Sequence, residues 1–192
     1  MPVRTPADVL DFWFSEQSRT LWFVRNAAFD ESIRSRFEDT LRAAGAGELD
    51  HWAATVPGAL ALAIVLDQFP RNLYRGSARA FAADARARDL ADRAIGRRQD
   101  QETALDRRFF FYTPFEHSEL LADQERSLAL FQAWVDAHDR AGRDQAQEFM
   151  PYIHRHEEII RRFGRFPHRN EALGRESTPA EIEFLREPMS AF

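Results

Sequence analysis

Ala59-Leu60-Ala61-Leu62-Ala63-Ile64-Val65-Leu66 is the longest uninterrupted apolar run in the chain, and its reading decides the fold. It falls well short of the roughly 18 residues that a membrane span needs, so it is read as a helix buried in a protein core. Helical spacing extends on both sides of it. Phe29, Ile33, Phe37 and Leu41 recur at four-residue intervals; Leu121, Leu128, Phe131 and Val135 form one stripe; Phe149, Tyr152, Ile153, Ile160 and Phe163 form another. No segment alternates as a strand would. Thr5-Pro6-Ala7-Asp8, Thr113-Pro114-Phe115-Glu116 and Thr178-Pro179-Ala180-Glu181 repeat one helix-start pattern. In each, threonine can cap the first free N–H groups, proline has no N–H to lose, and the acid suits the helix dipole. The spacing predicts an all-α fold of about nine helices, near residues 6–14, 26–43, 48–54, 57–69, 78–96, 103–112, 114–140, 144–163 and 179–187. Short connections predict antiparallel helical pairs within a single domain over 1–192. The Phe69-Pro70 step should end the fourth helix, and Pro151 calls for a kink in the eighth or a later start to it.

Composition narrows the chemistry. All 26 Lys+Arg residues are arginine, lysine and cysteine are absent, and 31 acids leave a net charge of −5. Without lysine there is no Schiff-base amine and no phosphate-loop lysine; without cysteine there is no thiol nucleophile, disulfide or thiolate metal site. The acidic balance argues against a nucleic-acid partner. The first sixteen residues lack the pattern of a secretory leader. A cytoplasmic protein with no membrane association and no cofactor is expected.

Candidate site residues cluster in two similar turns, Phe69-Pro70-Arg71-Asn72 and Phe166-Pro167-His168-Arg169-Asn170. Asp67 precedes the first, in what should be the last turn of a helix, where an acid needs an answering cation such as Arg71 or Arg75. His117 and His156 fall on apolar stripes and should point inward, while Glu116, beside His117, is explained by its capping position. His51 and His138 read as surface residues. His154 and His156 are two positions apart, which on a helix sends them to different faces, so no metal site is expected. Arg165 and Arg169, wedged between aromatic and proline residues, are placed to be fixed and directional, as carboxylate or phosphate forks.

Leu66-Asp67-Gln68-Phe69-Pro70-Arg71-Asn72, Pro114-Phe115-Glu116-His117-Ser118-Glu119, and the run from His156 through Arg162-Phe163-Gly164-Arg165-Phe166-Pro167-His168-Arg169-Asn170 resemble the bacterial domain-of-unknown-function family numbered 924. The resemblance covers nearly the whole chain and implies a tetratricopeptide-like arrangement of helices, an α-α superhelix, with no established activity. It adds weight to a common site. Three functional readings stay open. In the first, an anionic small molecule or acidic peptide is held by Arg71, Arg165 and Arg169 and oriented by Asn72, Glu116, His117, His168 and Asn170. In the second, a hydrolase or lyase uses His117 or His156 as general base with Asp67 as its orienter. In the third, Phe12, Trp13 and Trp22 form the surface of a structural or homo-oligomeric module.

Overall fold

The computed structural model describes residues 2–191, and among these every regular element is a helix. Among the described residues no helix is long and apolar enough to cross a membrane. The chain divides into two compact units, Met1–Arg75 with Arg79–Thr103, and Gly76–Ala78 with Ala104–Phe192.

The first unit contains α1 (Pro6–Trp13), α2 (Ala27–Gly45), α3 (Val56–Leu73) and α4 (Asp84–Gly96). The apolar run lies in α3, which is buried from Gly58 to Pro70 without a break. The preceding residues form a 3-10 turn, Asp50–Ala54, instead of the α-helix expected there. That turn rests directly on α3 at Gly58, where any side chain would collide with the Trp52 carbonyl. The pair α2/α3 is antiparallel: Asp30, near the start of α2, accepts hydrogen bonds from Asn72 Nδ2 (2.8 Å) and Arg75 Nε (2.8 Å) at the end of α3. Aromatic rings fill the space between α1, α2 and α3. Trp13 is fully buried against Trp22, Phe29 and Phe69, and Trp22 Nε1 donates to the Trp13 carbonyl. Trp13 is therefore core, not the partner-facing surface that the sequence suggested.

Pro70 does not end α3. The helix runs on to Leu73, with the Tyr74 N–H bonded to the Pro70 carbonyl. An interior proline costs about 3 kcal/mol, and here burial on every side outweighs it. Residues 78–96 likewise form a 3-10 turn, Ala78–Phe81, and then α4, not one helix.

The second unit contains α5 (Leu121–Asp136), α6 (Arg140–Gln147), α7 (Met150–Phe163) and α8 (Pro179–Phe184), with one-turn helices at Leu105–Arg108 and Thr113–Glu116. The pair α5/α7 is antiparallel: Arg161 near the end of α7 reaches Glu125 near the start of α5 (3.1 Å), and the Phe149 ring meets Trp134 at the other end (5.6 Å). Pro151 sits in the first turn of α7, so the later start is the correct alternative.

Two expectations fail in this unit. Phe109, Phe110, Phe111 and Tyr112 are all buried, and the chain passes through a 3-10 turn, Phe109–Phe111, instead of continuing as one helix. The Thr113–Glu116 turn follows directly, its N–H groups met by the Tyr112 carbonyl, and Thr113 donates to the Phe110 carbonyl instead of capping. A fresh start at Leu121 follows, with Ser118 Oγ accepting from the Leu120 N–H and donating to Asp123. Thr5 and Thr178 do form capping boxes, with Asp8 and Glu181.

Guanidinium groups sit over aromatic rings in both units: Arg79 over Tyr74 at 3.8 Å, Arg126 over Phe115 at 4.3 Å and Arg169 over Phe166 at 4.4 Å. Such stacking uses the planar group that distinguishes arginine from lysine.

Candidate functional site

The second unit buries a polar cluster around Phe166, whose ring is wholly enclosed. His156 on α7 meets the ring edge-on at 5.5 Å, His168 packs beside it at 5.6 Å, and Arg169 covers its face. His156 points inward, as its place on the apolar stripe predicts. Its Nδ1 lies 2.8 Å from the Tyr152 carbonyl one turn back and 3.2 Å from Glu116 Oε1. A neutral imidazole satisfies both acceptors by carrying its proton on Nδ1, which leaves Nε2 with a lone pair. Burial pushes the His156 pKa well below the ordinary imidazole value. The Tyr152 contact opposes that shift, and the neighbouring His117, Arg169 and His168 add to it.

Glu116 is thus not a capping residue. Its turn is capped by backbone, and its buried carboxylate faces His156. His117 follows at the C-terminal end of the same turn, half-buried, with its ring 6.3 Å from that of His156. It lies outside α5, because the helix expected over 114–140 begins only at Leu121.

Residues outside the sequence-based set hold this arrangement. Gln124, fully buried on α5, donates from Nε2 to the carbonyls of Glu116 and Ser118, both at 2.6 Å, while its Oε1 has no partner within the protein. Glu119 accepts the Phe166 N–H (2.8 Å) and two bonds from Arg175 (2.7 and 2.9 Å), tying the Glu116 turn to Phe166. Burial raises the Glu119 pKa, but Arg175 and the Phe166 N–H outweigh it, and the net shift is downward. The signal for Glu119 lay in the sequence, within Pro114-Phe115-Glu116-His117-Ser118-Glu119. Asn170 donates to Ser177 Oγ (3.1 Å), and its Oδ1 is buried without a partner in the protein.

The remaining arginine candidates are engaged elsewhere. Arg165 makes a two-pronged pair with Glu181 (2.6 and 2.8 Å), which holds that buried carboxyl at about 2. Arg71, in the first unit, pairs in the same way with Asp84 (2.9 and 3.0 Å) and lies 3.3 Å from Asp67. Asp67 also accepts from Gln68 Nε2 (2.6 Å), and Asn72 donates to Asp30. Asp67 and Arg71 therefore share a network with Asp84, and Asn72 a separate one with Asp30 and Arg75, both inside the first unit, whereas Glu116, His117, His156, His168, Arg169 and Asn170 belong to the second. His51 and His154 are exposed; His138 is half-buried, against the Trp134 ring. Among the described residues no group of three His, Cys, Asp or Glu side chains is placed to hold a metal ion.

These features define an all-helical protein whose second unit encloses a carboxylate, imidazole and guanidinium cluster. Residues 9–189 match the family described as bacterial protein of unknown function (DUF924), and the chain belongs to that family. It is similar to the solved structure of the protein of unknown function ATU0120 from Agrobacterium tumefaciens, at 43% identity and a TM-score of 0.80, with 94% of this chain and 96% of that chain covered. No curated protein matches.

Proposed function

We propose that the antiparallel pairs are tetratricopeptide-like and that the second unit binds an anionic small molecule, or the acidic terminus of a peptide, beside His117, His168, Arg169 and Asn170. The observation that carries this reading is the gathering of His117, His168 and Arg169 about the buried His156 and Phe166 rings, three potentially cationic side chains against the single Glu116 carboxylate that faces His156. Such a surrounding favours an anion electrostatically. Arg71 and Arg165 drop out of the clamp, because each already faces a carboxylate in two-pronged geometry. Calorimetric titration with phosphate, succinate and an acidic hexapeptide tests the proposal. One of these anions should bind saturably, and His117→Ala should weaken it at least about tenfold, which is about 1.4 kcal/mol. Equal binding by parent and variant would place the anion elsewhere.

A second reading, acid–base catalysis, is favoured by the 3.2 Å separation of His156 Nδ1 and Glu116 Oε1. Glu116 takes the orienting part first assigned to Asp67, and Nε2 is the basic atom. In a screen of phosphate and carboxylate esters, turnover should fall by roughly 10²-fold or more in Glu116→Gln. Turnover that this exchange leaves unchanged sinks the reading.

A further inference from the structure

We infer a second small-molecule site, in the first unit, for a zwitterion of the α-amino-acid class. It is independent of the cluster around Phe166. A cleft of about 120 Å³ opens between α3, α4 and the Asp50–Ala54 turn, with Asp50, Arg86, Asp89 and Arg93 around it. Arg86, Asp89 and Arg93 recur at three- and four-residue intervals, so α4 presents them on one side. Beneath them lie Leu62, Leu66 and Leu90, each almost wholly buried. The cleft thus has a charged rim and an apolar floor.

The charges point to a zwitterion in particular. Two aspartates and two arginines give a lining of no net charge, which suits neither a lone anion nor a lone cation. Arg86 is already positioned: its Nη2 donates to Asp50 Oδ1 at 2.6 Å. The pair lies against Gly47, whose φ of +84° suits glycine and where an added Cβ would sit 3.2 Å from Arg86 Nη2. This leaves Arg86 Nε as a buried donor with no partner in the protein. Asp89 and Arg93 carry opposite charges one turn apart, yet among the described residues neither side chain makes an ion pair or a hydrogen bond. A carboxylate can accept from the guanidinium groups of Arg86 and Arg93, while an ammonium group can donate to Asp89, with a short apolar side chain over the leucines. The volume corresponds to about four water molecules in the liquid, which limits the side chain to a few carbon atoms.

The full chain is titrated with L-valine by NMR, alongside isobutylamine, which lacks the carboxylate, and isovalerate, which lacks the ammonium group. L-Valine should bind saturably, and each single-charge analogue should bind at least about tenfold more weakly. Arg93→Ala and Asp89→Asn, both at exposed helical positions, should each weaken L-valine binding by at least about tenfold, whereas His117→Ala in the second unit should leave it unchanged. The assignment is overturned if L-valine, L-alanine and glycine all fail to shift the α4 resonances saturably, if either analogue shifts those same resonances as tightly as L-valine, or if Arg93→Ala has no effect.

Discussion

Phe166→Ala is expected to destabilise the second unit by about 3–5 kcal/mol, the usual cost of emptying a fully enclosed phenylalanine site. Phe166 is wholly buried, and its neighbours give the loss a second component. His156 and His168 pack against its ring, Arg169 covers its face, and its backbone N–H anchors Glu119. Removing the ring leaves the guanidinium without its stacking surface and the two imidazoles without a wall between them. Urea denaturation should therefore show a lower midpoint, and any anion binding at His117 should be lost with it. Phe166→Leu keeps most of the volume and should cost less than half as much, yet it should still weaken anion binding, because an aliphatic side chain offers no π-face. A loss below about 1 kcal/mol for the alanine variant would mean that the cluster does not depend on the ring.

The second large effect concerns pH. His156 is neutral in the folded protein, because burial and three basic neighbours hold its pKa well below 6.5, although Glu116 faces the ring from the adjacent turn. The unfolded chain takes up a proton at this residue as pH falls through about 6.5, while the folded chain refuses it. Folding stability should therefore be complete above that pH and decline below it, by up to about 1.4 kcal/mol per pH unit, until the folded pKa is reached. The carboxylates act in a lower window. Glu119 and Glu181 have lowered pKa values, so their stabilisation is intact above about 4.5 and fades only below it. Urea midpoints measured between pH 7.5 and 5 should thus fall for the parent, and His156→Gln should flatten the profile. A parent whose midpoint stays level across that range contradicts the assignment.

The parts of the fold written in local spacing could be read from the chain alone. Phe29, Ile33, Phe37 and Leu41 are all buried on α2, Thr5 and Thr178 cap their helices, and Gly164 ends α7 in the left-handed conformation at φ +69°. Local rules failed where packing overrode them. Pro70 stays helical because α3 is enclosed, and Thr113 does not cap because the aromatic turn before it supplies the missing acceptors. In the site, the inward direction of His156 was legible, but its partner was not. The capping pattern offers Glu116 a local role, but backbone caps that turn and the carboxylate faces His156 instead. The pairs Arg165 with Glu181 and Arg71 with Asp84 span 16 and 13 residues, and no periodicity reports a contact between separate elements.

The stacked arginines carry a consequence for how this chain can be modified. In these 192 residues no side-chain amine exists for acetyl or ubiquitin transfer, so covalent control of the basic groups would have to act on guanidinium itself. The fold grades those groups by access. Arg169 is enclosed over its ring, Arg71 and Arg165 are clasped by carboxylates, and Arg25, Arg97 and Arg98 stand in solvent. A dicarbonyl reagent or an arginine methyltransferase meeting the native protein would find the solvent-facing set first, and the guanidinium groups bound up inside each unit would react only as that unit opens.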